Sequence, residues 1–454
     1  MSLCSATAPA RRPSAEAVHR LLALGLFGAA QLLFLSPSTR WLAVAVLATA
    51  FWVARSAGFA DGALPPGPRD LPNEILPRRG TLVLLVLIVG IAAFFRLWHL
   101  ESVPPGLYVD EVLTTRNAFA WRLAHGLWYG SRPLAAPGWV ETSNLYLAFA
   151  SSVLHLFGDG LLGIRMISVL PSLGMVPLTY LLGAVLGGRR VGLLAAFLLA
   201  FSHWAGRTGR TGWDEVLLTA LTLAVLFLVL LALRLGRTWP AAPAGLILGL
   251  SLYTYVASRL VALQVAVWLV WEVWRRASER RVAVAAATCL GIAALTAAPY
   301  FWYLGTASAG GADVRLDELA VTRAAPRGRV VRTLADNLTA HLLMFNSRGA
   351  HYVRDDLPDY PMLDPLTGTL FLAGLVVVFG PPGWRRRLLV SWAAIQLLGG
   401  VLSTSLGALP TPTGSVAWRP GPAWSRAWGG SPCGTGSAWL WRRADGDGSP
   451  WLRR

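Results

Sequence analysis

The chain has 454 residues, 55% of them hydrophobic and only 14% charged, and its formal net charge of +17 comes from arginine because the sequence contains no lysine. A soluble domain carries about a quarter charged residues, so this composition excludes an ordinary soluble protein and predicts a polytopic membrane protein. The arginines cluster between apolar runs, so we interpret them as topology signals rather than as a nucleic-acid surface, and we predict no nucleic-acid partner.

We predict an all-α polytopic membrane protein with about 11 transmembrane helices and with interfacial helices in two outer loops. A spanning helix needs roughly 20 largely apolar residues. The predicted spans are 20–36, 41–55, 80–98, 166–187, 191–205, 213–233, 241–257, 260–274, 282–303, 366–380 and 387–403.

The arginine clusters predict the orientation. If the N-terminus is cytoplasmic, every basic cluster between the spans falls on the cytoplasmic side, as the positive-inside rule requires. One condition is that the short apolar run 144–158 does not cross the bilayer, and we interpret it as an interfacial or re-entrant helix. The segments 99–165 and 304–365 then form the two outer loops.

Both outer loops contain amphipathic patterns. In the first loop, Val112, Phe119 and Leu123 recur at helical spacing, and Gly126 is a plausible helix stop. In the second loop, an apolar stripe runs along the segment 330–345. Amphipathic helices beside spans usually lie in the membrane interface, and we expect both of these helices there.

The sequence predicts three regions: an N-terminal part with two spans (1–79), a membrane domain (80–405) and a tail (406–454). The tail is rich in Trp, Gly, Pro, Ser and Arg and reads as neither a span nor a packed domain. One hypothesis is a frameshift in GC-rich DNA, and the alternative is a genuine low-complexity tail.

Two adjacent carboxylates, Asp110 and Glu111, follow the third span in the stretch "PPGLYVDE". An outward-facing carboxylate beside a bilayer can take a proton from a sugar acceptor hydroxyl. The alternative is that Asp110 is a helix N-cap and that Glu111 favours the helix dipole. Asp214 and Glu215 open a later span, and helix capping is the default interpretation for them.

A polyprenyl-phosphate donor would leave an anionic phosphate, which arginine binds well through its fork of donors. The outer-side candidates include Arg132 and Arg165, and we predict that Arg207, Arg210 and Arg259 bind substrate. For Arg165 and Arg259, which lie at span ends, structural anchoring is the competing interpretation. No His, Cys or Asp cluster has the spacing of metal ligands, so we predict neither a metal nor another cofactor.

Five pieces of sequence, in order, resemble a GT-C-type integral-membrane glycosyltransferase of family 39, the group of the protein O-mannosyltransferases, which is similar to the lipid A aminoarabinose transferases. The resemblance covers roughly residues 80–405. The pieces are "FFRLWHL" with "PPGLYVDE", the stretch from "LHLFGDGLLGIRM" to "LLAFSHW", "GRTGRTGWDEVLL", "GLSLYTYVASRL", and "DYPMLDPLTGTLFLAGLV".

The resemblance implies that Asp110 is the catalytic carboxylate, supported by Glu111, in an inverting transfer from a polyprenyl-phosphate sugar. It implies Arg132 or Arg165 at the donor phosphate and an unidentified protein, lipid or glycan acceptor, at the outer face of a bacterial inner membrane. It also accounts for a non-spanning helix at 144–158.

Two departures keep an alternative open. Related enzymes often carry a lysine or a Glu-Pro pair before the run at 144, where this chain has "PGWVETSNLYL". The late spans and a soluble C-terminal domain are also missing. The alternative is therefore a non-catalytic membrane protein: a lipid or glycan transporter, or a degenerate, truncated homologue.

Overall fold

The computed structural model describes residues 15–56, 75, 77–125, 144–306, 321, 327–349, 357–379 and 383–403. The regular secondary structure of these residues is helical, which confirms the all-α class. The predicted tail 406–454 and the predicted stop Gly126 lie outside the described residues, and the division into three regions stays a prediction.

Fifteen α-helices are described, joined in places by short 3₁₀ turns. They are α1 (Ala15–Phe34), α2 (Arg40–Ser56), α3 (Arg79–Leu97), α4 (Val109–His125), α5 (Asn144–Phe157), α6 (Leu161–Gly187), α7 (Arg189–Phe201), α8 (His203–Thr208), α9 (Asp214–Leu235), α10 (Ala241–Ser251), α11 (Ser258–Arg275), α12 (Arg280–Thr306), α13 (Val330–Leu343), α14 (Pro365–Val378) and α15 (Trp384–Leu402).

Each predicted span overlaps one of these helices, except that the span 191–205 crosses the break at Ser202 between α7 and α8. Among the described residues, six helical stretches are long and apolar enough to cross a membrane, and they lie in α1, α2, α3, α6, α9 and α12. This confirms a polytopic membrane protein. The other five predicted spans correspond to helices that are shorter or less apolar. α10, for example, ends at Ser251 rather than at 257 and has 11 residues, about 17 Å of helix. The count of eleven therefore stays a prediction.

Small residues bring neighbouring helices into backbone contact. A Cβ atom at Gly192 of α7 would lie 2.4 Å from the carbonyl oxygen of Tyr180 in α6, and one at Gly245 of α10 would lie 2.3 Å from that of Cys289 in α12. Apolar side chains gain little from leaving lipid, so membrane helices associate through close packing of this kind. The two glycines are thus part of the reason why α6 packs on α7 and α10 on α12.

The helices of the predicted outer loops differ in burial. α5 has 14 residues, about 21 Å, and most of its side chains are buried against α4 and α6. That length falls short of the roughly 30 Å hydrocarbon core, as expected for a helix that does not cross, although its topology stays a prediction. α13 instead exposes its apolar stripe, with Val331 81% exposed, the arrangement expected for a helix in the membrane interface.

Candidate active site

The acidic pair lies in the first turn of α4. The helix begins at Val109, so Asp110 is inside the first turn rather than at the cap position. Glu111 supplies the cap: its Oε2 accepts a hydrogen bond from the backbone N–H of Tyr108 at 2.8 Å. Carboxylates are stabilising at this end of a helix because the exposed N–H groups carry partial positive charge. Tyr108 therefore lies at the N-cap position, and Glu111 closes the helix start from the third helical position.

Glu111 is enclosed by the protein. Its side chain is 1% exposed, its Oε1 accepts the backbone N–H of Gly212 at 3.3 Å, and the Nε atom of Arg165 lies 3.9 Å from the same oxygen. A buried carboxylate is costly unless hydrogen bonds and an opposite charge compensate it. These contacts fix Glu111 and tie the start of α4 to the loop before α9.

Asp110, one residue earlier, is half-buried. The two members of the pair therefore differ in burial: Glu111 is enclosed and holds the helix start, and Asp110 is partly exposed.

Two buried arginines hold the segment that leads into α4. Arg165, fully buried in α6, donates to the carbonyl oxygens of Leu100, Pro104 (2.6 Å) and Gly106 (2.7 Å). We call Arg165 and Arg210 the arginine clamp.

Arg210 completes the clamp from the loop before α9. It donates to the carbonyl oxygens of Phe95 (2.6 Å), Trp98 (2.7 Å) and Val103 (2.8 Å). Burial, and then the positive charge of Arg165, lowers the pKa of the Arg210 guanidinium below its usual range. Two like charges are thus held close together, and the carboxylate of Glu111 lies beside one of them.

These contacts favour the anchoring interpretation of the clamp. The sequence predicted Arg165 at the donor phosphate and Arg210 at the substrate, but the hydrogen bonds of both guanidinium groups go to main-chain oxygens. The phosphate-binding and substrate-binding roles remain predictions that these contacts do not support.

The second acidic pair lies close to the first through Gly212. Glu215, in the first turn of α9, accepts a hydrogen bond from the hydroxyl of Tyr255 at 3.0 Å. Tyr146 of α5 donates to the carbonyl oxygen of Gly212 at 3.3 Å, and Trp213 is held by Ser168 of α6. The starts of α4 and α9 therefore share one hydrogen-bonded neighbourhood with α5 and α6.

Arg259 lies one turn after Tyr255. It is half-buried, its Nη2 donates to the hydroxyl of Tyr300 at 2.9 Å, and its guanidinium lies over the Tyr300 ring at 5.8 Å. Arg207 of α8 is also half-buried. Arg132 lies outside the described residues.

Sequence reasoning missed the tyrosines of this neighbourhood. Tyr146, Tyr255 and Tyr300 link the helix starts, yet a tyrosine in an apolar helix is ordinarily read as core. The available signal was the clustering of Tyr253, Tyr255 and Arg259 in "YTYVASRL", although Tyr255 lies in the turn before α11 and not in a helix.

Residues 143–303 match the family model of the dolichyl-phosphate-mannose-protein mannosyltransferases. This mannosyltransferase match covers just over a third of the chain, from α5 into α12, and includes the clamp, the second acidic pair and Arg259. It begins after α4, so Asp110 and Glu111 precede it. The match supports a membrane glycosyltransferase and confirms the resemblance over the segment that it covers.

The structure is also similar to the crystal structure of ArnT from Cupriavidus metallidurans in the apo state, with 14% sequence identity and a TM-score of 0.42. The similarity covers 71% of this chain and 59% of the ArnT chain, so this chain spans less than two thirds of that protein. No curated protein matches the sequence.

Proposed function

We propose that this protein is a membrane glycosyltransferase that moves a sugar from a polyprenyl-phosphate carrier to an acceptor at the outer face of a bacterial cytoplasmic membrane. The family match over α5 to α12 supports the class of enzyme. The donor, the acceptor class, the face of the membrane and the residue roles are our inference from the site and from the predicted topology.

The observation that carries the proposal is the difference in burial and contacts between the two carboxylates in the first turn of α4. Glu111 is locked by Tyr108, Gly212 and Arg165, while Asp110 is half-buried beside it. A general base must be held in position and still reach its substrate, and our candidate is the partly exposed Asp110 beside the fixed Glu111.

In the proposed reaction Asp110 takes the proton of the acceptor hydroxyl, and the acceptor oxygen attacks the anomeric carbon of the sugar. The bond from that carbon to the phosphate oxygen breaks, and the polyprenyl phosphate leaves with the electron pair. A single displacement of this kind inverts the anomeric carbon.

The leaving phosphate needs a cation where its charge develops. Arg132, predicted from the sequence for this role, remains a candidate in the segment before α5. Among the described residues, Arg259 is the better candidate than the clamp, because the contacts of its guanidinium include a tyrosine hydroxyl rather than a set of main-chain oxygens. Arg207 is a further candidate for substrate contact.

The test is Asp110→Asn, assayed as sugar transfer from labelled polyprenyl-phosphate sugars on membranes that contain the chain. The substitution keeps the size and polarity of the side chain and removes the base, so turnover should fall about 10²–10⁴-fold. Folding, measured as the yield and elution profile of purified protein, should be unchanged.

The matched control is Asp364→Asn. Asp364 is a true N-cap, whose Oδ1 accepts the backbone N–H groups of Leu366 and Thr367 at 3.0 Å each. Asparagine caps about as well as aspartate, so the control should retain normal transfer. Normal transfer by Asp110→Asn would show that Asp110 is not the base and has a structural role. No transfer by the unaltered chain with any donor would favour the non-catalytic alternative.

A further inference from the structure

The two ends of α9 carry opposite charge. The helix starts with Asp214 and Glu215 and ends at Leu235, 22 residues or about 33 Å of helix. At the far end, arginines crowd the ends of α9 and α11 and the starts of α12 and α15. They are Arg234, Arg237, Arg275, Arg276, Arg280, Arg281, Arg385, Arg386 and Arg387.

Two cavities open among these arginines, and in the first, two of the three wall arginines pair with protein carboxylates. It has a volume of about 200 Å³ and lies between the ends of α9 and α11 and Trp384. Arg275, in its wall, pairs with the buried carboxylate of Glu272 at 2.7 Å, and Arg276 pairs with Glu279. The first cavity therefore supplies its own anions.

The second cavity is not neutralised. It has a volume of about 720 Å³, and its wall includes Arg237, Thr238, Trp239, Arg280 and Arg281 but no acidic residue. Among the residues that the structure describes, no carboxylate forms an ion pair or hydrogen bond with the three arginine side chains. The protein thus gathers three positive charges around one space without a described counter-charge.

The helix start adds to this imbalance. Arg280 and Arg281 open α12, which has no acidic residue in its first turn, so two cations lie at the positive end of a helix dipole. Glu279 directly precedes them, but its carboxylate pairs with Arg276 on the side of the first cavity. An anion in the second cavity would compensate both the arginines and the helix end.

The turn between α9 and α10 shapes the cavity wall. Gly236 has a φ of +60°, a left-handed conformation that glycine adopts without strain. A Cβ atom there would lie 3.4 Å from the Cδ atom of Arg281, so the turn packs closely on the stem of that arginine. The aliphatic part of the Arg281 side chain, which carries the guanidinium, is therefore held against this turn.

Tryptophans place the second cavity at the depth of lipid headgroups. Trp239 in its wall is 57% exposed, and Trp271 and Trp274 are exposed near the end of α11. Tryptophan is enriched where the hydrocarbon core meets water. A ligand at this depth is adjacent to the lipid phosphates, and arginine matches phosphate geometry through paired N–H donors.

We propose that the second cavity binds the phosphate headgroup of an anionic membrane lipid, in the leaflet opposite to the one near Asp110. On the predicted topology this is the cytoplasmic leaflet, where basic pockets between helices meet anionic lipid. The proposal rests on the cavity and its charges and is independent of the transferase activity.

The test uses the purified full-length chain in detergent and follows its thermal midpoint during titration with phosphatidylglycerol, phosphatidylcholine or inorganic phosphate. The informative variant is Arg237→Gln/Arg280→Gln/Arg281→Gln. The matched control is Arg189→Gln/Arg190→Gln/Arg387→Gln, which removes the same charge from other helix starts on the same predicted side.

Phosphatidylglycerol should raise the midpoint of the unaltered chain and of the control, because a ligand that binds only the folded state stabilises it. In the informative variant, apparent binding should weaken at least about tenfold, given the contribution of each arginine near an anionic surface. Phosphatidylcholine should have little effect on any of the proteins.

Equal binding of phosphatidylglycerol by the informative variant and the unaltered chain would overturn the proposal, as would equal loss in the control. If inorganic phosphate produced the full shift and displaced the lipid, the ligand would be a soluble phosphate and the lipid assignment would be wrong. If the triple variant does not fold, Arg237→Gln alone replaces it, since this exposed side chain lies in a turn, and it should lower the phosphatidylglycerol affinity several-fold.

Discussion

The tetrapeptide Asp-Glu-Val-Leu occurs at residues 110–113 and again at 214–217, each time in the first turn of a helix. The two copies are buried in opposite ways. In α4, Glu111 is buried and Val112 is 46% exposed, whereas in α9, Glu215 is exposed and Val216 is only 6% exposed. The same four residues therefore present different faces to the protein.

The difference follows from what each helix packs against. Near α4 lie Arg165 and the N–H of Gly212, which compensate a buried carboxylate. α9 packs lengthwise against α6 and α10, and its apolar side chains fill that contact. Local sequence starts both helices, and tertiary partners decide which side chain is enclosed. Three pairs of substitutions test whether the two copies differ in stability as their burial indicates.

The largest difference is expected between Glu111→Ala and Glu215→Ala. Removing Glu111 leaves the buried N–H of Gly212 without its acceptor and the buried guanidinium of Arg165 without its counter-charge, and should lower the free energy of unfolding by about 3 kcal/mol. Glu215 faces solvent, so its removal should cost less than about 1 kcal/mol. Unfolding in mixed micelles with increasing SDS measures both. Equal losses would show that the two acidic residues are equivalent.

For the valines we expect the opposite order: the substitution in α9 should lower the free energy of unfolding more than the one in α4. Val216→Ala should create a cavity and cost about 1–2 kcal/mol of unfolding free energy. Val112→Ala should change stability by less than about 0.5 kcal/mol, because the side chain is half exposed. The same SDS titration measures this pair, and a greater loss at Val112 would contradict the observed orientation of α4.

The smallest effects are expected for the hydroxyl groups of Tyr146 and Tyr255, which donate to Gly212 and Glu215. Tyr146→Phe leaves the Gly212 carbonyl without its buried donor and should cost about 1 kcal/mol. Tyr255→Phe removes a hydrogen bond to the exposed Glu215, where water can replace it, and should stay within about 0.5 kcal/mol. If Tyr255→Phe lowered the SDS midpoint more than Tyr146→Phe, the hydrogen bond from Tyr255 to Glu215 would contribute more to stability than the one from Tyr146 to Gly212.

Much of the fold was predictable because its signals are local. The apolar runs predicted the helices, and the amphipathic pattern around Val112 and Phe119 predicted α4. The position of the acidic pair at a helix start was likewise predictable from the sequence around Asp110.

The contacts of the candidate site were not predictable in the same way. The partners of Arg165 and Arg210 are carbonyl oxygens 59 to 115 positions away in the chain, and main-chain oxygens leave no mark in a sequence. Spacing alone could not tell an anchoring arginine from a phosphate-binding one. Nor could it tell Glu111 from Glu215, since the surrounding tetrapeptides are identical.

The arginine clamp also bears on how this region can change during evolution. Because Arg165 and Arg210 bind the main chain of the segment before α4, side chains such as Leu107 and Glu101 can be exchanged without loss of a hydrogen bond to either arginine. The side chains of the segment can therefore diversify while its main chain and the start of α4 keep their positions. Substitution of either arginine would disturb the segment and the helix start at once.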